Sequence, residues 1–195
     1  MAYVDLSEGI EVDTGWFRGH GMRCSESHRV IFDGTPVLAV LGEPGELLRE
    51  PYFSRDAVRT AVTWAGIADL AVDSALGVLA AKFANREPDD LVSLAAGRLL
   101  TARGTIDRWL EFAAAGADAD PEASVSGFST QLREAVADGC RTILDEAARA
   151  VGSHPFATAG PLDRARRDLE LFLLQHRLEP ALARRGREAI RERGG

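Results

Sequence analysis

Leu162, Ala165, Leu169, Phe172 and His176 follow one another in steps of three, four, three and four. That spacing predicts one apolar stripe of a helix with His176 on it. Imidazole titrates near neutral pH, so on a face sheltered from water it can give or take a proton. The same place suits a histidine that is merely hydrogen-bonded within a core. Shortly before it, Gly152-Ser153-His154-Pro155-Phe156 reads as the turn between two helices, opened by a glycine. There is no GxGxxG, P-loop, GxSxG or HExxH motif. Cys24 and Cys140 stand alone, without a CxxC or a histidine at ligand spacing, so no metal site is expected.

The elements that must position these residues fall into two regions. Residues 1–50 carry short extended patterns: Arg29-Val30-Ile31-Phe32 before Asp33-Gly34, and Val37-Leu38-Ala39-Val40-Leu41 before Gly42. A pair of strands is marginal in water, so this segment must lean on something else. Residues 51–195 read as helices. The first carries a seam through Val58, Val62, Ala65, Asp69, Val72, Leu76, Leu79 and Phe83, with Trp64, Ile67, Leu70 and Val78 widening the apolar surface. Asp69 interrupts that seam, as a partnered carboxylate or a residue turned to the surface.

The second helix is expected to open at Pro88-Asp89-Asp90, with proline in its first turn, and to run through Leu91, Leu94, Leu99, Ala102, Ile106 and Trp109 to Ala115. Residues 116–120 read as a loop. Asp120-Pro121-Glu122 would start the third, with a stripe of Val125, Phe128, Leu132, Val136, Gly139, Ile143 and Ala147. Gly139 is expected to mark a close approach of another backbone, and Gly152 a left-handed cap. The fourth runs from Pro161 to about Glu179, where Pro180 breaks or kinks it before a short basic tail helix. The expected class is mainly α: an antiparallel four-helix bundle with a short N-terminal β remnant.

The chain has 195 residues, 46% of them hydrophobic, enough for a full core in one domain, or one and a small extra. Net charge is −7 with basic residues scattered among acids, which recommends no nucleic acid and no anionic membrane as partner. No apolar run is read as approaching the roughly 20 residues of a membrane span, and no signal pattern opens the chain. A cytoplasmic location is the expectation.

Several motifs together resemble the C-terminal half of the acyl-CoA dehydrogenase-like flavoproteins. Gly21-Met22-Arg23-Cys24-Ser25-Glu26-Ser27, the strand after it and Asp33-Gly34-Thr35-Pro36 are similar to the family's late β-domain segment. Gly66-Ile67-Ala68 sits where its first bundle helix commonly has G-x-A. Pro161-Leu162-Asp163-Arg164 with Arg167-Asp168 resembles its P-L-x-R-x-x-R-D signature. The resemblance covers nearly the whole chain.

It implies FAD or reduced flavin as cofactor, or none in the isolated chain, and an acyl-CoA or other small molecule as substrate. It implies a homo-oligomer, dimer or tetramer. The family's first helical domain and most of its β-domain have no counterpart here, so a truncated homologue, a fragment, or one half of a two-chain enzyme with a partner carrying those domains is expected. Where the dehydrogenases place a catalytic glutamate, nine residues after the arginine of R-D, this chain has His176. A histidine there is similar to the flavin-dependent monooxygenase branch, with a role as acid or base.

Gly152, Ser153, His154 and Phe156 stand at the family's G-G-x-G-[YF] turn against FAD, although Ser153 replaces the second glycine. Arg86 stands where relatives reach the FAD of a neighbouring subunit, although Glu87-Pro88 follow it instead of Phe-Gly. Arg167 and Asp168 are expected as a structural ion pair or cap. The competing expectation is a non-catalytic helical bundle, kept for assembly or regulation.

Overall fold

Residues 1–194 are described by the structure, a computed structural model. The order is β1 (Ala2–Val4), β2 (Ile10–Asp13), β3 (Arg29–Phe32), β4 (Val37–Val40), α1 (Tyr52–Lys82), α2 (Asp90–Ala119), α3 (Ser126–Val151), α4 (His154–Ala157), α5 (Pro161–Leu174) and α6 (Glu179–Gly194). The protein is mainly helical, and the two strands expected from sequence are β3 and β4. β1 pairs antiparallel with β4, Ala2 opposite Val40, and β2 with β3, Ile10 opposite Phe32. These are two separate ribbons. Neither has a second layer, so β3 and β4 are exposed along their whole length.

α1 is the hub, packed against α2, α3 and α5. Its buried face is Ala61, Ala65, Ala68, Ala71, Val72 and Ala75, with Trp64 and Leu79. The expected seam is therefore rotated: Val62 is half exposed, and Asp69 stands at the edge facing α2. Alanine adds little to a hydrophobic pattern, yet its small side chain lets neighbouring helices come close, so the alanine face wins the centre. Asp69 is a partnered carboxylate, its Oδ1 3.0 Å from Arg103 Nε. Arg103 also reaches Asp73 at 2.9 Å, tying α1 to α2. Burial raises the Asp69 pKa above its ordinary value, Arg103 pulls the other way, and Asp107 and Asp73 add to the rise.

Several boundaries differ from expectation. Asp89 caps α2, accepting from the amides of Leu91 and Val92 at 3.0 Å each, so Pro88 lies before the helix rather than in its first turn. Leu91 and Leu94 point outward, and the inner face is Ala95, Leu99, Ala102, Ile106 and Ala113. α2 continues to Ala119, through the residues read as a loop. Its end is tied by Arg55, which donates to the carbonyls of Ala117 (3.1 Å) and Asp120 (2.7 Å). α3 opens at Ser126, not at Asp120-Pro121-Glu122, where Asp120 instead accepts from Glu122 N in a turn. A Cβ on Gly139 would lie 2.7 Å from Ile106 Cγ1, so the close approach is to a side chain on α2 rather than to backbone.

α5 stops at Leu174, not near Glu179, and His176 lies in the turn beyond it. Pro180 sits in the first turn of α6 instead of kinking a longer helix. α1 also contains an 18-residue window of mean hydropathy 1.4, long and apolar enough by composition to cross a bilayer, where none was expected. In the fold, 39% of that window is buried inside the protein.

Candidate functional site

α5 organises one side of the site by holding the N-terminal segment. Asp168 Oδ1 accepts from Met22 N at 2.5 Å, and Arg167 Nη1 donates to the His20 carbonyl. Arg167 is itself fixed by Asp163, which accepts from its Nε at 3.0 Å and its Nη2 at 2.9 Å. Between these ties Gly21 is pressed on the helix: a Cβ there would sit 1.9 Å from the Arg167 carbonyl oxygen. Arg167 and Asp168 thus each hold a partner of their own rather than one another. Next to the clamp an apolar pocket of about 370 Å³ opens between Trp16, Phe17 and Met22 and the end of α5 at Leu171, Phe172 and Gln175.

His176 follows this helix as an exposed residue, not as part of a buried helical stripe. Its ring meets Trp64 of α1 with centroids 5.9 Å apart, and Phe172 meets the same indole edge-on at 6.2 Å. The Arg133 guanidinium of α3 stands over Trp64 at 5.6 Å. Lost hydration holds the His176 pKa below its ordinary value, the nearby Arg133 charge lowers it further, and Asp56 opposes both. A neutral imidazole is the form that can accept a proton. His176 also lines a groove of about 450 Å³ with Glu134, Ala137, Leu173 and Glu179 among its walls.

Trp64 Nε1 and Arg133 Nε are buried without hydrogen-bond partners. Each such donor costs about 1–3 kcal/mol when left unmet. Sequence reasoning used Trp64 only as extra apolar surface and did not single out Arg133. A signal was present: Arg133 lies between Leu132 and Val136 on the buried stripe of α3, an arginine beside a core face.

The residues carried over for a cofactor lie elsewhere. Arg86 follows α1, its guanidinium 4.8 Å from the Phe83 ring. Gly152 closes α3 with φ 78° and ψ −170°, an extended glycine conformation rather than the left-handed cap expected, and nothing lies within 4 Å of a Cβ built on it. Ser153 leads into α4, which His154 opens. Phe156 lies under the Arg166 guanidinium at 5.4 Å.

Arg86 follows the C-terminal end of α1 and Gly152–Phe156 that of α3. His176 instead packs on Trp64, well before the end of α1. The 18 helical steps from Trp64 to Lys82 amount to about 27 Å. The fold does not bring the two sets of candidates together within one chain.

Among the described residues, no group of three or more His, Cys, Asp or Glu is placed to hold a metal ion. Cys24 is exposed, while Cys140 is buried and its thiol pushed up to about 12 by loss of solvent. No protein-family model matches the chain, and no curated protein matches it significantly.

Proposed function

We propose that this chain is the C-terminal part of a flavin-dependent oxidoreductase related to the acyl-CoA dehydrogenases, its α1, α2, α3 and α5 forming an antiparallel four-helix bundle. The observation that carries the reading is the clamp. The Gly21-Met22 and Arg167-Asp168 motifs, 146 residues apart between Met22 and Asp168, meet through one hydrogen bond and a contact only glycine allows. Motifs retained for unrelated reasons have no need to meet.

In this reading His176 is the acid or base at the mouth of the groove, its pKa held down by lost hydration and by Arg133. Open backbone at Gly152, with Ser153, His154 and the Arg86 charge, suits the phosphate-bearing part of FAD. Bound flavin would supply the redox chemistry. The distance between these residues and His176 fits a homo-oligomer in which one copy's far end serves a neighbour's site, as a dimer or tetramer would allow. Acyl-CoA thioesters or other small molecules are the substrate classes.

The test is dialysis of the full chain against FAD. Retention of an oxidised-flavin spectrum supports the reading, and complete loss overturns it for this chain. With flavin bound, His176→Ala is expected to lower turnover on a panel of acyl-CoA thioesters by roughly two to four orders of magnitude while leaving occupancy unchanged.

The exposed apolar ribbons favour a second reading, a non-catalytic bundle retained for assembly or regulation. It expects a stable oligomer that binds no flavin.

A further inference from the structure

Arg133 is a charged group that the fold leaves without a counter-ion. No carboxylate among the described residues pairs with it, and the acid whose charge it feels, Asp56, is taken by Arg59 at 2.5 Å. Its Nε is buried and unpartnered. The guanidinium is held in place by the Trp64 ring at 5.6 Å, and the indole N–H of that fully buried tryptophan is itself unpartnered. Two donors on one contact, no acceptor for either, and a half-buried cation together describe a place short of negative charge.

We infer that Arg133 anchors a small-anion site beside His176, taking the carboxylate of a small planar organic acid at its terminal nitrogens. The fork of a guanidinium matches the two oxygens of a carboxylate, and stacking on an indole fixes the fork before the anion arrives. His176, exposed and packed on the same indole, gives the acid an aromatic neighbour and a proton-transfer group. The groove that His176 lines opens beside the same indole, which gives the acid a route in. As a statement about the substrate the inference rests on the flavin reading. Anion binding is measured without flavin, so the two can fail separately.

The test is a titration of the full, flavin-free chain with benzoate, with its neutral isostere benzamide, and with inorganic phosphate, followed by NMR of the tryptophan indole N–H signals. Three tryptophans are present, and Trp16→Phe and Trp109→Phe assign the Trp64 signal by elimination. Benzoate is expected to move that signal to saturation and benzamide to leave it. Arg133→Met keeps the length of the side chain without its charge, and should raise the benzoate half-saturation roughly tenfold or more. Arg133→Lys, which keeps the charge but not the fork, should fall between. An equal response to benzamide, or an unchanged benzoate response in Arg133→Met, overturns the site. Phosphate binding more tightly than benzoate overturns the carboxylate assignment. Should Arg133→Met fail to fold, Arg133→Lys and the benzamide control still decide.

Discussion

Phe32 on β3 and Trp64 on α1 are both large aromatic side chains, yet the first is 59% exposed and the second 0%. The difference extends to their regions. In residues 1–50 only Gly21 is buried, whereas the later helices enclose a continuous core from Ala61 to Leu173. Apolar composition alone does not make a core: α1 has helices on three sides, and each ribbon has solvent on both. What joins the regions is a narrow contact of the first with α5 around Gly21. The N-terminal segment therefore owes its place to docking, and its outer faces are the surface an assembly would cover.

The largest test sets the two aromatics against each other. Trp64→Ala should cost about 3–5 kcal/mol in chemical denaturation, and Phe32→Ala under about 0.5 kcal/mol. Comparable losses would show that the ribbons are covered in solution. Next comes Gly21→Ala, whose methyl would overlap the Arg167 carbonyl. It should cost about 1–3 kcal/mol and deprotect the Met22 amide in hydrogen exchange, with amides of the α1 core unchanged. Loss of protection across α1 as well would mean the two regions unfold as one.

Asp168→Asn exchanges a charge-assisted bond to Met22 N for a neutral one, a loss of about 1 kcal/mol in denaturation with the same pattern of exchange. The smallest effect is that of His176. Its folded pKa lies below the ordinary 6.5, so the unfolded chain holds the proton more tightly. Stability should then fall as pH drops from 6.5 through the folded value, and His176→Asn should flatten that slope. An imidazole titrating by NMR above 6.5 would remove the neutral-base argument.

How much was legible from sequence depended on the physical signal behind each element. β3 and β4 were readable because β-branched runs ended at Asp33-Gly34 and Gly42. The buried face of α1 was not, because alanines carry weak pattern and only packing shows that they are central. His176 was placed on a helix because its step from Phe172 continues the period. Pro180 explains the error: it lacks the N–H that would bond the His176 carbonyl, and its ring would clash there, so α5 ends early and the chain turns. Trp64 and Arg133 came together only in space, since α1 and α3 are far apart in sequence.

The apolar length of α1 has a consequence at synthesis. A chain leaves the ribosome N-terminus first, so α1 emerges before α2, α3 and α5, the helices that cover it. For that interval an 18-residue stretch of mean hydropathy 1.4 stands open to whatever sorts nascent segments into membranes. Asp69 and Asp73 lie in this helix, and a mid-helix aspartate opposes insertion by about 2.5–3.5 kcal/mol. The carboxylates that later bind Arg103 would first act as a bar to mis-sorting. Asp69→Leu with Asp73→Leu should accordingly send a measurable share of newly made chains to the membrane fraction, whereas Arg103→Leu, which breaks the same ion pairs after folding, should not.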